Sequence, residues 1–109
     1  MTTTPPGMAA ALDRLWAKYL PEMEQRLALL EAAAEALTTD TLGDEARAEA
    51  HSAAHKLAGS LGTFGLHRGT EIARQAELLL GESCSAEDAV TLRDYAAELR
   101  AVIQGRNAS

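Results

Sequence analysis

The chain has 109 residues, 47% hydrophobic but only 4% aromatic, with a formal net charge of −6. That length suits one domain, able to bury a modest core without metal or disulfide staples, and the acidic balance argues against nucleic acid as the main partner, since phosphate binding needs a concentrated basic surface. No apolar run approaches the ~20 residues of a membrane span, the N-terminus lacks the basic and apolar regions of a signal peptide, and Cys84 is a lone cysteine, so a cytoplasmic, reducing setting is expected.

Alanine and leucine dominate and Val and Ile are sparse, which disfavours sheet and predicts an all-α fold. Residues 1–7 read as a flexible N-terminal segment, with Thr4 a candidate cap for a first helix. Met8, Leu12, Leu15, Trp16 and Tyr19 follow at helical spacing until Leu20-Pro21, where a proline without an amide donor is expected to break the helix. A second helix runs from about Pro21 to Leu37, with Met23, Leu27, Leu30, Ala34 and Leu37 facing inward and Glu22, Glu24, Gln25, Arg26, Glu31 and Glu35 on the solvated side. After a turn over Thr38 to Gly43, a third helix buries Ala46, Ala50, Ala53, Ala54, Leu57 and Leu61 and ends between Gly62 and Gly65, either of which can take the left-handed conformation of a helix stop.

A fourth helix spans about Leu66 to Leu80, with Leu66, Ile72, Ala73, Ala76, Leu79 and Leu80 inward. Gly81 to Ser85 is a turn, and Ser85-Ala86-Glu87-Asp88 has the form of a capping box. The last helix carries Ala89, Leu92, Ala96, Leu99 and Ile103 as a seam, and 105–109 reads as a tail. The connections are short, so the expected architecture is an antiparallel up-down four-helix bundle over residues 8–104, with a short extra N-terminal helix across one end.

The third helix has an unusual outward face. His55 points away from the apolar stripe, and around it fall Ala48, His51, Ser52, Ala58, Gly59 and Gly62 where long charged side chains would be usual. Gly59 inside a helix costs about 1 kcal/mol relative to Ala, a cost consistent with room being kept beside His55 for another molecule. Neutral imidazole is a good nucleophile near neutral pH and forms covalent intermediates by direct attack; a phosphoryl group on its nitrogen keeps a high transfer potential.

The run His55-Lys56-Leu57-Ala58-Gly59-Ser60, with Gly65 and Leu66 beyond it and Ala76-Glu77 on the next helix, resembles the signature of histidine-containing phosphotransfer (HPt) domains. The resemblance covers about Ala50 to Leu80 in motif and the whole chain in helix count. It implies that His55 is a phosphoacceptor in a two-component phosphorelay, taking phosphate from a receiver-domain aspartate or a sensor histidine kinase and passing it to another receiver. It further implies a relay intermediate with no turnover of its own and no cofactor, the partner receiver supplying Mg²⁺ and most of the groups that stabilise the transition state. His51, Ser52, Ala58, Gly59 and Gly62 would dock the partner, Ser60 would match the family's small residue, and Glu77 is the candidate to hydrogen-bond the His55 ring and fix its tautomer. The lysine frequent three residues after the histidine is Ala58 here; Lys56, about 100° round the helix, and Arg68 on the next helix are the candidate phosphate-supporting cations. A monomer without membrane attachment is expected. An alternative from another class is a phosphate-independent adaptor that docks a receiver or kinase through the same face.

Other patterns fail on detail. His51 and His55 have the four-residue spacing of helical metal ligands, but Ser52 stands where the zinc-protease pattern needs Glu, and nothing in the sequence brings His67 and Cys84 to complete a four-ligand site. The glycines at 59, 62 and 65 lack the following lysine and the preceding strand of a nucleotide P-loop, so the chain is not expected to phosphorylate itself from ATP. Trp16 and the leucine stripes read as core, and His67 as a surface residue at a helix start.

Overall fold

Apolar side chains recur at three- and four-residue spacing along the chain; the stripes after Pro21 lie on helices with that face buried, whereas before it Trp16 is buried but Met8, Leu15 and Tyr19 are exposed. The computed structural model describes residues 6–81 and 84–108, which form four helices: α1 (Pro6–Thr38), α2 (Asp44–Thr63), α3 (His67–Leu80) and α4 (Ala89–Ala108). A single 3-10 turn over Ala86–Asp88 leads into α4. No strand occurs among the described residues. The helices close in a ring, with α1 against α2 and α4, and α3 against α2 and α4.

The separate N-terminal helix expected before Pro21 is not found; α1 runs unbroken through Pro21 for 33 residues. Its length, about 50 Å at 1.5 Å per residue, matches the 49 Å long dimension of the molecule. The reason lies in phase and exposure. Trp16 and Met23 are seven residues apart, within about 20° on the helix wheel, and both are buried on the stripe that continues through Leu27, Leu30, Ala34 and Leu37. Pro21 and Ala17 are exposed, so the carbonyl that loses its amide partner faces water. Pro6 and Gly7, expected in a flexible segment, open α1, whereas residues 1–5 with the Thr4 cap lie outside the described residues.

The far end of α4 also departs from expectation. Gly105 to Ala108, read as tail, continue the helix, and residue 109 lies outside the described residues. Side chains there are held by α1: Trp16 Nε1 donates to Asn107 Oδ1, Arg106 pairs with Asp13 at 2.8 Å, and its guanidinium lies 5.2 Å from the centre of the Trp16 ring. Phe64 completes this end, edge-on to Trp16 with ring centroids 5.0 Å apart. Midway along the same pair of helices, Arg100 grips Glu31 through two hydrogen bonds of 2.8 Å each.

Helix stops follow the glycine logic at one end of α2. Gly65 has φ +71°, its N–H donates to Gly62 O and that of Leu66 to Leu61 O, the paired bonds of a Schellman motif. Asp40 closes α1 in the same way at φ 53°, with Thr41 N–H on Ala36 O. At the start of the 3-10 turn, Ser85 N–H donates to Asp88 Oδ2 at 2.9 Å. The core is built mainly of leucine and alanine; Ala46, expected inward, lies in the first turn of α2 and is exposed.

The contacts of α2 with α3 involve unusually small groups. Buried Ala54 and Ala58 on α2 and Gly69, Ala73 and Ala76 on α3 line this side, and Thr70 Oγ1 donates to the backbone carbonyl of Ala58 at 3.3 Å. A side chain that short reaches the neighbouring main chain only when the helices are close. A methyl group on Gly69 would meet Leu61 Cδ1 at 3.0 Å and Val102 Cγ1 at 3.1 Å.

Two stability measurements check this account. Space around the Gly65 Cα is open, so Gly65→Ala strains only the backbone; it is expected to destabilise by about 1 kcal/mol, read as a lower urea midpoint at unchanged m. The Arg100 hydrogen bonds hold the Glu31 carboxyl below the usual carboxylate range. A lowered folded-state pKa contributes stability above the unfolded value and loses it as pH falls through the folded value. Glu31→Gln is therefore expected to be less stable than wild type near neutrality and to lose less on acidification, measured by denaturant titration across the acid range.

Candidate functional site

His55 sits two turns from the C-terminus of α2, between Ala54 and Lys56, with its apolar neighbours Ala54 and Leu57 fully buried on the other side. Its side chain is 72% exposed. The ring is not free to turn, because Nδ1 lies 2.8 Å from Glu77 Oε2 on α3. A carboxylate accepts and does not donate, so Nδ1 carries the hydrogen and the neutral ring presents the Nε2 lone pair to solvent.

Glu77 is half-buried at 25% and stands one residue past buried Ala76. Burial of Ala73 and Ala76 sets the rotation of α3 and so aims Glu77 at α2. His51, one turn before His55, approaches the same carboxylate oxygen, with Nε2 at 4.0 Å. Ser52, Gly59 and Gly62 are exposed. No atom outside the local helix backbone lies within 4 Å of where a Cβ on Gly59 would stand, so the space beside His55 on that flank is open. Among the described residues, no group of three or more His, Cys, Asp and Glu is arranged to hold a metal.

The Hpt domain family model matches residues 14–106. The chain belongs to the Hpt domain family. It is 38% identical over 72 residues to protein RcaC of Microchaete diplosiphon, an alignment that covers 66% of this chain and 11% of that protein; the chain thus spans about a tenth of the relative's length. No solved structure matches. Hpt domains are phosphotransfer intermediates of two-component signalling.

Within this Hpt domain, two residues assigned to the site from sequence lie elsewhere. Ala58, grouped with the outward face, is 4% exposed and belongs to the core. It lies about 60° round the wheel from His55, on the flank that α3 covers, so it is not available for docking. Arg68 lies nine residues before Glu77, about 13 Å along α3, and its guanidinium pairs with Glu98 at 3.2 Å and Glu71 at 3.7 Å. It faces α4 and does not approach His55. Lys56 is exposed next to His55 and makes no ion pair among the described residues.

One cation was missed by sequence reasoning. Arg26, read as part of a solvated side, is half-buried and reaches α2, with its guanidinium 3.4 Å from Ser60 Oγ. It lines a groove with Tyr19, Lys56, Gly59, Ser60, Thr63 and Phe64. Its position beside Leu27 and three residues after Met23 puts it on the edge of the buried stripe, where a long side chain lies along the neighbouring helix. Cys84, in the connection between α3 and α4, is half-buried, and burial pushes its thiol pKa up. His67 is exposed at the start of α3.

Proposed function

We propose that the chain relays a phosphoryl group through Nε2 of His55, taken from the aspartyl phosphate of a receiver domain or from a sensor histidine kinase and passed to a second receiver. The observation that carries this is the 2.8 Å contact between His55 Nδ1 and Glu77, which leaves Nε2 as the nucleophilic nitrogen. In the step from a receiver, the Nε2 lone pair forms a bond to phosphorus, the phosphorus–oxygen bond to the aspartyl carboxyl breaks, and its electron pair returns to that oxygen as a free carboxylate. No proton has to move. The ring gains positive charge as Nε2 is phosphorylated, and the Glu77 carboxylate offsets it. Return of the group to a receiver is the same step in reverse.

Lys56 is the phosphate-supporting cation in this reading, since its flexible stem starts beside His55; Arg26 adds positive charge to the groove shared with Lys56. Ser52, Gly59 and Gly62 form the docking surface, and the partner receiver supplies Mg²⁺. The domain acts as a monomer in the cytoplasm; no helix among the described residues is long and apolar enough to cross a membrane. The order of contacts supports the antiparallel arrangement on which this face depends: His55 meets Glu77 while Ala58 meets Thr70, and Trp16 meets Asn107 while Glu31 meets Arg100. The absence of a cation at Ala58 favours one competing reading, an adaptor that docks through the same face without being phosphorylated.

Incubation with a phosphorylated receiver and Mg²⁺ separates the two. The expected result is an acid-labile, base-stable label on wild type and none on His55→Gln; no label on either protein, with the receiver still bound, would favour the adaptor over the relay. Gly59→Leu is expected to raise the melting temperature, because leucine favours helix by roughly 0.5–1 kcal/mol over glycine, while transfer falls on the order of 100-fold through displacement of the docked partner. Transfer at the wild-type rate would show that the open space at Gly59 has no part in docking.

A further inference from the structure

His51 has a setting that docking does not account for. Its Nε2 stands 4.0 Å from the Glu77 oxygen that His55 Nδ1 holds at 2.8 Å, so one carboxylate oxygen lies between two imidazoles on successive turns of α2. Those are the two contacts made by the Glu77 side chain among the described residues. Glutamate has three rotatable side-chain bonds, and a single contact to an exposed ring leaves much of that freedom in place. The His51 ring, 4.0 Å from the same oxygen and so beyond hydrogen-bond distance, limits that freedom as a polar neighbour that the carboxylate packs against.

The seat of His51 is also specific. The ring packs beside Gly81 at the end of α3, where a Cβ would stand in van der Waals contact, 3.4 Å from His51 Nε2 and 3.6 Å from Cδ2. One turn earlier on α2, Arg47 donates to the Leu80 carbonyl at 2.8 Å and lies 4.0 Å from Asp44. That bond ties the end of α3 to this stretch of α2, and the Arg47 guanidinium is thereby directed to the helix end. His51 is thus enclosed between Glu77 and Gly81, with its side chain 39% exposed against 72% for His55.

We propose that His51 is a positioning residue for phosphotransfer: it seats the Glu77 carboxylate against Nδ1 of His55, which keeps the hydrogen of the neutral ring on Nδ1 and aims Nε2 at the donor. This rests on His55 being the phosphoacceptor. An N–H donor at position 51 is what the role requires, so glutamine can replace the imidazole and alanine cannot.

The test uses a phosphodonor too small to touch a docking surface. With phosphoramidate in its N-protonated form, Nε2 attacks phosphorus, the phosphorus–nitrogen bond breaks with its electron pair going to the –NH3⁺ nitrogen, and neutral ammonia leaves. His51→Ala is expected to take up label about tenfold more slowly than wild type, by analogy with the low end of the loss when the partner that orients a metal-ligating histidine is removed, and His51→Gln to match wild type. In parallel, long-range ¹H–¹⁵N spectra of the His55 ring read the tautomer without any phosphate present. Wild type and His51→Gln are expected to hold the hydrogen on Nδ1, and His51→Ala to move toward the mixture of free imidazole. A wild-type rate and tautomer in His51→Ala would overturn the proposal and return His51 to the docking surface, and equal defects in the two variants would overturn it as well. Failure of wild type to take label from phosphoramidate and from a receiver would instead sink the phosphotransfer reading, and the tautomer spectra would still decide whether His51 seats Glu77.

Discussion

The close approach of α2 and α3 is the constraint on which the site depends. Glu77 belongs to a different helix from His55, and a glutamate side chain spans only a few ångströms, so the two meet at 2.8 Å only if the helices pack tightly. Small residues make that possible. Ala54 and Ala58 on one side and Gly69, Ala73 and Ala76 on the other are buried, and Thr70 reaches across to the α2 main chain. Larger residues at these positions would widen the gap and leave the His55 ring without its partner. The alanine content of the chain is therefore tied to the chemistry as well as to helix propensity.

A second set of contacts fixes the remaining helices around this pair. The long α1 carries Trp16 into the end of the bundle, where Phe64 comes from just beyond α2 and Asn107 and Arg106 from α4. The indole on α1 is thus met by α4 and by the turn that follows α2. The Glu31–Arg100 pair sets the same two helices in register farther along. Because α1 also flanks α2, this anchoring brings Arg26 to Ser60 and forms the groove that Lys56 shares. Positive charge next to the His55 face thus comes from two helices in a chain whose net charge is −6.

Much of this was legible in the sequence. Three- and four-residue spacing of leucine and alanine gave the buried faces of the helices, and the residues opposite them, His55 and Gly59, are indeed exposed. The end of α2 at Gly65 could be read from the glycine, because a left-handed residue after a helix is a local property of the backbone. These features are set within one or two turns of chain, and a short window of residues contains the physics that decides them.

The tertiary structure decided the rest, because it depends on which surfaces meet. Pro21 is a helix breaker by local propensity, yet the stripe from Trp16 to Leu37 stays in phase across it and burial holds the helix straight through. Ala58 and His51 both lie near His55 on the wheel, but α3 covers the first and leaves the second half open beside Glu77. Arg68 and Arg26 look alike as charged positions on helices; packing turns one toward Glu98 on α4 and the other toward Ser60 on α2. A sequence specifies the faces of its helices through periodicity, whereas the neighbour of each face is chosen by interhelical packing among residues far apart in the chain.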